Sequence, residues 1–412
     1  MSLQQVAIIG GGAAGLIAAG RVGELGLKAI LFEKNKVLGR KVLISGKGRC
    51  NVTNDGDIET FMKNYNGKGR FLYSSFNKFF NNDLKILLNK YGVELKVERG
   101  ERIFPVSDKA QDIVTALTSY VQAGAAEIRN EEVVEIVQEE GAIKGVRTAN
   151  KFVECSAVIV ATGGKSYSAT GSTGDGYKWA TEIGHTVITP RPALVPLNIM
   201  DDWVKELQGL ALKNIEVTLW KEKKLLAKEF GEMLFTHFGV SGPIILTLSR
   251  RVVEDNSKKG MYLTINLKPA LDEEKLDNRL QRDFKKYQRK QLRNALDDLL
   301  PQRLIPVVIA QSDVSADKFV HQVTKEDRKR LINILKALKM TVLGTRSLAE
   351  AIVTAGGVNL KEVNPKTMES KLVKGLYFAG EVLDIDGNTG GYNLQAAFST
   401  GYLAGESSTL EQ

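Results

Sequence analysis

The chain has 412 residues, of which 43% are hydrophobic and 25% charged, a composition typical of a globular protein with two or three domains. It excludes wholesale disorder, and no run of about 18 apolar residues predicts a membrane-spanning helix. Lys and Arg number 57 against 48 Asp and Glu, so the formal charge is +9, which permits a polyanionic partner without requiring one.

The cysteine and histidine content excludes further classes. Cys50 and Cys155 form no Cys-x-x-Cys pair, and the sequence has three histidines, so we predict neither a disulfide framework nor a metal site. No basic segment precedes an export-type apolar stretch at the N-terminus, and we therefore expect a cytoplasmic protein.

The first 33 residues carry the strongest pattern in the chain. The segment Val6–Gly15 (VAIIGGGAAG) begins as a buried parallel strand and ends in the spacing Gly-x-Gly-x-x-Gly. A helix is predicted over Leu16–Leu25 and a second strand over Lys28–Phe32, followed by Glu33. Strand, glycine turn, helix, strand and acid in this order predict a βαβ dinucleotide-binding unit.

Each glycine of this unit has its own predicted role. Gly10 permits the tight turn, Gly12 allows backbone to approach a pyrophosphate, and Gly15 allows the helix to pack closely on the strand. The helix N-terminus offers N–H groups to the phosphates. Glu33 is placed to accept hydrogen bonds from ribose hydroxyls.

The next stretch, Gly39–Asn54 (GRKVLISGKGRCNVTN), shows no clear period and is predicted to be a long ordered loop. Its cations Arg40, Lys41, Lys47 and Arg49 would neutralise a bound diphosphate. The alternative is a solvated basic loop without a ligand.

Two helices, a three-stranded meander and a second glycine-terminated strand are predicted next. The helices span Asp83–Tyr91 and Lys109–Ala123, short strands Glu94–Val97 and Arg102–Phe104, the meander Glu132–Gln138, Ile143–Thr148 and Phe152–Cys155, and the glycine-terminated strand Ala157–Gly164. The last of these again suits close approach of backbone to a ligand.

Three prolines, Pro190, Pro192 and Pro196, indicate a domain boundary. Residues 191–268 are predicted to be β-rich and residues 271–340 helical, with one long helix over Asp272–Leu300 and another over Lys325–Leu338. The last part returns to α/β structure, with a strand ending at Gly380-Glu381, a loop over Asp384–Gly391 and a helix over Asn393–Leu403.

The three glycine-terminated strands resemble those of flavoproteins with two dinucleotide-binding domains. In such proteins a late strand ending in Gly-Asp holds the ribityl-phosphate arm of the flavin, and here Gly380-Glu381 stands in that place with a longer acid. The resemblance implies that the helix after Gly391-Tyr392-Asn393 directs its N-terminus at the flavin pyrimidine, where the dipole stabilises the reduced anion.

More closely, the chain resembles the BaiN/HI0933-like family of FAD-dependent oxidoreductases. The shared motifs are GRKVLISGKGRCNVTN (39–54), RIFPVSDKA (102–110), EMLFTHFGVSGP (232–243), TAGGV (354–358) and GLYFAGEVLDIDGNTGGYNLQAAFSTG (375–401). The resemblance implies an α/β fold. Its Rossmann-like FAD domain, a parallel sheet with a β-meander, spans residues 1–190 and 345–412, and an inserted β-rich and helical domain spans 191–344.

The resemblance also implies FAD as the cofactor and a set of residues that contact it. These are Gly10, Gly12, Ala14, Gly15, Glu33, Lys34, Arg40, Lys41, Ser45, Gly46, Val134, Ala161, Thr162, Gly163, Gly380, Glu381, Gly391, Asn393 and Leu394. Members of the family are linked to reduction of conjugated double bonds in steroids, oxidation of aminoacetone, and reduction of uridine in large-subunit rRNA. The sequence contains one Gly-x-Gly-x-x-Gly fingerprint and no second one for a nicotinamide cofactor. We therefore predict that NAD(P)H, if it is the electron donor, binds transiently.

The segment 279–293 favours an RNA substrate. It holds seven Lys or Arg and one Asp, a local charge of +6, and helical spacing would align five cations along one helix face. These predicted RNA-binding residues, here called the basic stripe, are Arg279, Arg282, Lys286, Arg289 and Arg293. A solvated helix face and a small-molecule substrate remain the alternatives, and the oligomeric state is not predicted.

Reduction of a double bond requires a proton donor besides the hydride. The candidates are Cys50 in the 39–54 segment, His237 in the 232–243 motif, and Tyr392 at the start of the last helix. The alternative for Cys50 is that it is only a small buried residue, and the alternative for His237 is a structural role in packing.

Overall fold

The computed structural model describes residues 5–255 and 259–409. The chain divides into two compact units, one formed by Met1–Pro192 with Ala351–Gln412 and the other by Ala193–Glu350. We call them the nucleotide unit and the inserted unit.

The helices and strands follow one another along the chain in three segments. The first contains β1 (Gln5–Ile9), α1 (Ala13–Glu24), β2 (Lys28–Phe32), α2 (Arg40–Ile44), β3 (Thr53–Asn54), α3 (Ile58–Lys63), α4 (Tyr73–Lys78), α5 (Asn81–Lys90), β4 (Leu95–Glu98), β5 (Arg102–Pro105), α6 (Ala110–Ala123), β6 (Glu127–Arg129), β7 (Val133–Glu139), β8 (Ala142–Thr148), β9 (Phe152–Glu154), β10 (Ala157–Val160), α7 (Asp175–Glu182) and β11 (Val187–Ala193). The second contains β12 (Leu197–Ile199), α8 (Trp203–Glu206), β13 (Ala211–Lys221), β14 (Lys224–Thr236), β15 (Gly239–Ser241), α9 (Pro243–Glu254), β16 (Met261–Asn266), α10 (Glu273–Lys286), α11 (Ile305–Ser312), α12 (Lys325–Lys336) and β17 (Leu338–Thr345). The third contains β18 (Val353–Val358), β19 (Leu376–Phe378) and α13 (Tyr392–Ser407).

A parallel sheet in the order β19-β10-β1-β2-β6 forms the centre of the nucleotide unit. Its inner strands are continuous apolar runs because both faces are covered: all of β1 and β10 is buried. On one face α1 packs closely against α13, where a Cβ at Gly401 would lie 2.3 Å from the carbonyl oxygen of Ala14. The predicted Rossmann-like sheet is confirmed.

A second, antiparallel sheet in the order β7-β8-β9 is the predicted meander, which is also confirmed. The segment 39–54 differs from its prediction as one long loop. It contains α2, a 3-10 turn and β3, which pairs with β5. The hydrophobic pattern does not reveal this short helix, because glycines interrupt the segment. Gly39, which precedes α2 as its N-cap, is in the left-handed region at φ 65°.

The inserted unit contains a closed barrel in the strand order β12-β15-β14-β13-β16-β17. Successive residues of a strand point to opposite faces of the sheet. In β16, Met261, Leu263 and Ile265 are accordingly buried, and the residues between them are partly exposed. The sequence predicted β-rich structure but not this closure. It also did not predict α9, which lies within the β-rich stretch.

The predicted single helix over Asp272–Leu300 is wrong, because α10 ends at Lys286. Its buried face is formed by Leu276, Leu280 and Phe284. At 3.6 residues per turn, Leu292 would lie about 120° around the helix from Leu280 and would leave that face. Instead the chain turns, and Leu292 is fully buried in the same core.

Candidate functional site

The carboxyl ends of four parallel strands bring the predicted nucleotide-binding residues to one edge of the sheet. β1 is followed by Gly10, β2 by Glu33, β10 by the turn at 161–164, and β19 by the turn at 379–381. Ligands of open parallel sheets bind outside this edge.

The three fingerprint glycines have the geometry that a bound dinucleotide requires. Gly10 has φ 107°, and an added Cβ would lie 2.6 Å from the carbonyl oxygen of Ala161. A Cβ at Gly15 would lie 1.8 Å from the carbonyl oxygen of Gly10. At Gly12, which caps the N-terminus of α1, no atom lies within 4 Å of such a Cβ. The first and third glycines therefore permit close packing, and the second leaves open space where helix N–H groups can meet a pyrophosphate, so these residues fit FAD.

Glu33 is fixed at this edge by backbone and side-chain donors. Its carboxylate accepts hydrogen bonds from the N–H of Gly11 at 2.8 Å and from the N–H and amide of Asn35 at 2.8 and 2.6 Å. Asn130 donates to the carbonyl oxygens of Glu33 and Asn35. Neither asparagine was singled out from the sequence. The predicted bonds from Glu33 to ribose hydroxyls stay a prediction.

Three of the cations predicted to neutralise the diphosphate, Arg40, Lys41 and Arg49, have protein partners, as does the predicted cofactor residue Lys34; Arg49 pairs with Glu98 and Asp108. Lys34 Nζ lies 2.5 Å from Asp175, and Arg40 donates to the side-chain oxygen of Asn35 at 2.6 Å. Lys41 Nζ lies 2.5 Å from Glu381. Their binding to FAD stays a prediction.

Glu381 joins four separate parts of the nucleotide unit. Besides Lys41 on α2, its carboxylate accepts hydrogen bonds from Ser166 Oγ at 3.0 Å, after β10, and from the N–H of Thr354 at 2.7 Å, in β18. Thr354 Oγ1 in turn accepts from the N–H groups of Lys165 and Ser166. Ser166 and Thr354 were not predicted as site residues, although Thr354 opens the TAGGV motif.

Most of the other predicted cofactor residues lie in or beside the turns around this edge. Gly46 and Gly163 have positive φ, 56° and 73°, and Ala14 lies 2.9 Å from where a Cβ on Gly380 would be. Val134 is the second residue of β7, is 44% exposed, and accepts a hydrogen bond at its carbonyl from Trp179. The remaining residues of this set are Ser45 in the 3-10 turn, Ala161 and Thr162 after β10, and Leu394 in α13.

The N-terminus of α13 is held by its preceding loop. Gly391 caps it at φ 98°, and a Cβ there would lie 2.4 Å from the backbone of Thr53. Asn393 accepts from the N–H of Gly387 at 2.8 Å and donates to its carbonyl at 2.9 Å. The loop thus fixes the N-terminus of α13, and the orientation of its dipole toward the flavin pyrimidine stays a prediction.

The three candidate proton donors differ in burial. Cys50 is fully buried, and its backbone has φ 57°. Burial raises the pKa of its thiol to about 12, although a hydrogen bond with Ser45 has a lowering effect. No substrate atom can contact this thiol unless the residues around it move. Its role as a proton donor stays a prediction.

Tyr392 is buried in an aromatic cluster, with its ring 4.9 Å from that of Phe61 at an angle of 76°. Burial raises the pKa of its hydroxyl, and the negative charge of Glu101 raises it further. The hydroxyl is therefore protonated at neutral pH.

His237 belongs to the inserted unit, is exposed, and lies with the partly exposed Phe238 in the turn between β14 and β15. Its neighbour Phe238 packs under the guanidinium of Arg346, 4.6 Å from the ring centroid. The imidazole is accessible to a substrate, and its role also stays a prediction.

The basic stripe does not lie on one helix face, because α10 ends at Lys286, before Arg289 and Arg293. Ion pairs also offset part of its charge. Arg279 lies 2.6 Å from Asp283, and Lys286 lies 2.8 Å from Asp298. RNA binding by these residues stays a prediction, and the surface that they form differs from the one that periodicity predicts.

The parallel sheet, the glycine turns and the fixed carboxyl edge define a Rossmann-type dinucleotide-binding protein. The family described as HI0933-like protein Rossmann domain matches residues 4–407, and the chain belongs to this family. It is an FAD-dependent oxidoreductase.

Two relatives and one solved structure place the chain further. It is 35% identical to a ribosomal RNA dihydrouridine synthase of Haemophilus influenzae over 96% of both chains. It is 30% identical to a 3-dehydro-bile acid delta(4,6)-reductase of Clostridium scindens over 98% of both chains. The 3-ketosteroid delta1-dehydrogenase of Sterolibacterium denitrificans has a similar fold, with a TM-score of 0.52, 12% identity, and coverage of 97% of this chain and 98% of that one.

Two further observations concern residues 5–255 and 259–409. No helix in these ranges is long and apolar enough to cross a membrane. Their His, Cys, Asp and Glu side chains form no group of three or more that could hold a metal ion.

Proposed function

We propose that this oxidoreductase reduces the C5–C6 double bond of a uridine in large-subunit rRNA and so forms dihydrouridine. The observation that carries the proposal is the 35% identity to an rRNA dihydrouridine synthase over nearly the whole of both chains. The excess of cations around the end of α10 is a second support, because phosphate backbones bind such surfaces.

The proposed reaction adds a hydride to one carbon of the double bond and a proton to the other. Reduced FAD supplies the hydride from N5 when it is bound. Gly12 and the N-terminus of α1 would hold its pyrophosphate, and the N-terminus of α13 would stabilise negative charge on the pyrimidine. Since each turnover consumes two electrons, a donor must return them, and we propose that NAD(P)H does so by transient binding.

The proton comes from a side chain or from water that a side chain positions. Of the three candidates, His237 is exposed, Tyr392 is almost wholly buried, and Cys50 is inaccessible. We therefore propose His237 as the first residue to test and Tyr392 as the second.

A second candidate function is reduction of a conjugated double bond in a small molecule. The 30% identity to a bile acid reductase over 98% of both chains favours it. The hydride and proton requirements are the same, so the two functions differ in the substrate that is bound.

The deciding experiment is nucleoside mass spectrometry of large-subunit rRNA from a strain that lacks this protein and from its parent. We expect dihydrouridine to be lost and to return with the wild-type gene. As a matched control, a gene carrying Gly12→Val should not restore it. Unchanged dihydrouridine in the deletion strain would reject the rRNA proposal and favour the small-molecule function.

A further inference from the structure

The chain after α10 forms a surface that the helical periodicity concealed. Residues 290–293 run antiparallel to residues 316–320. The N–H of Leu292 donates to the carbonyl of Lys318 at 2.9 Å, and the N–H of Val320 donates to the carbonyl of Lys290 at 3.1 Å. A backbone bridge also joins Gln291 to Phe319. These bonds fix the backbones of the two segments relative to one another.

Two aromatic rings stand on this surface. Phe319 is 40% exposed, and its ring lies 5.7 Å from that of His321 with an angle of 27° between the planes. His321 is exposed and its Nδ1 lies 3.0 Å from the carbonyl oxygen of Gln288, so Nδ1 carries the hydrogen and the ring is fixed. An exposed phenylalanine beside a fixed, nearly parallel imidazole offers a flat face to another ring.

Exposed cations lie within residues 285–290, where the chain leaves α10, and the carbonyl of Lys290 accepts a hydrogen bond from the N–H of Val320, the residue between Phe319 and His321. Lys285, Arg289 and Lys290 are all exposed. Lys290 Nζ lies 4.4 Å from the ring centroid of Tyr287, and among the described residues neither Lys285 nor Arg289 has an acidic partner within 4.0 Å. Arg293 is different, since it lies 3.0 Å from Asp317.

We propose that Lys285, Arg289, Lys290, Phe319 and His321 form a binding surface for a single-stranded segment of RNA, here called the aromatic–basic surface. An unpaired base stacks on the two rings, and the flanking phosphates meet the three cations. The inference rests on the proposed rRNA function and deepens it, because it names unpaired rather than duplex RNA as the form recognised.

The combination of groups favours RNA over an acidic protein segment. Cations alone would suit either polyanion, but an exposed, fixed aromatic pair gains most from a planar base. Stacking of a base on such rings tolerates any sequence, and phosphate contacts make the affinity dependent on salt.

The test uses the FAD-loaded protein and two fluorescent probes, a 12-nucleotide oligouridine and a 12-base-pair RNA duplex. We expect Phe319→Ala/His321→Ala to weaken oligouridine binding by about 5-fold to 100-fold and duplex binding by less than about 2-fold. Lys285→Glu/Arg289→Glu should weaken binding of both probes and reduce the salt dependence of the oligouridine affinity by about two phosphate contacts or more.

A charge-matched control is available at the exposed end of the β13–β14 hairpin. Lys223→Glu/Lys224→Glu makes the same change in net charge and should bind oligouridine as the wild type does. The inference is overturned if this control weakens binding as strongly as Lys285→Glu/Arg289→Glu. It is also overturned if the aromatic variant, with normal flavin absorbance, binds oligouridine as tightly as the wild type.

The failure of this inference is distinguishable from failure of the proposed function. If rRNA of the deletion strain lacks dihydrouridine but the aromatic variant binds normally, the function stands and the surface is wrong. If dihydrouridine is unchanged and the aromatic variant loses selective oligouridine binding, the surface stands and the substrate is wrong.

Discussion

Replacement of Gly12 and Gly15 by alanine should separate cofactor binding from folding. Both belong to the same turn, but their surroundings differ. A Cβ at Gly12 meets no atom within 4 Å, whereas a Cβ at Gly15 would lie 1.8 Å from the carbonyl oxygen of Gly10. Gly12 also has φ −87°, which any residue adopts. The added methyl group is therefore compatible with the fold at Gly12 only.

For Gly12→Ala, two small effects on the apo-protein oppose each other. Alanine is a poorer N-cap than glycine by up to about 1 kcal/mol. Loss of backbone freedom in the unfolded chain offsets this by about 0.4–1 kcal/mol. We expect the free energy of unfolding to change by less than about 1 kcal/mol. In the FAD complex the methyl group enters the space that we assign to the pyrophosphate, and overpacking of about 1–3 kcal/mol corresponds to FAD binding about 5-fold to 150-fold weaker.

For Gly15→Ala, the backbone itself must move, and we expect the apo-protein to lose about 3 kcal/mol. The assays are urea unfolding of both apo-variants, followed by circular dichroism, and titration with FAD, followed by flavin fluorescence. Wild-type FAD affinity in Gly12→Ala would refute our placement of the pyrophosphate. An equal loss of apo-protein stability in the two variants would refute the packing argument.

Three other predictions concern buried polar groups of the nucleotide unit. Glu381→Gln leaves the half-buried Lys41 without its ion-pair partner. We expect the free energy of unfolding, measured by heat or urea, to fall by about 2 kcal/mol, a value between those for breaking buried and exposed ion pairs. An unchanged free energy of unfolding would mean that the pair does not support the fold. Burial lowers the pKa of the His185 imidazole, and Glu362 opposes this shift. The neutral imidazole therefore contributes to the free energy of unfolding above a pH of about 6.5, and this contribution is lost as the pH falls through the lowered pKa. His185→Gln should therefore flatten the pH dependence of unfolding between pH 5 and 7.5, and equal slopes in variant and wild type would contradict this cause. Cys50→Ala should keep uridine-dependent reoxidation of the reduced flavin in a single turnover, because the thiol is fully buried; a loss with FAD still bound would instead establish Cys50 as the proton donor.

The sequence predicted the parallel sheet and its glycine turns because both signals are local. A strand covered on both faces is a continuous apolar run, and the turns that follow need glycine within a few residues of the strand end. Closure of the barrel in the inserted unit has no such signal. It depends on pairing between β12 and β17, whose residues Leu197 and Thr345 are far apart in the chain.

The contacts of Glu381 show the same limit within the candidate site. The motif around it predicted a residue near the cofactor, but its partners come from distant segments: Ser166 is 215 residues away and Lys41 is 340. No spacing rule connects such positions, and only the order of strands in the sheet brings them together. Thr354 could have been found only as the first residue of the TAGGV motif, to which the sequence assigns no role, and Ser166 lies in none of the motifs.

The end of α10 matters most for the proposed RNA interface, because one burial requirement changes the surface that periodicity predicts. Continuation of the helix would align five cations but place Leu292 away from the face formed by Leu276, Leu280 and Phe284. Since burial of a leucine side chain stabilises the fold by about 1.5–3 kcal/mol, while alignment of exposed cations brings only repulsion, the chain turns after Lys286. The turn brings Arg289 and Lys290 beside Phe319 and His321, which lie some 30 residues later. A straight stripe suits the regular phosphates of a duplex. Cations around exposed rings suit a strand whose bases are unpaired, which is the form in which a uridine ring is open to reduction.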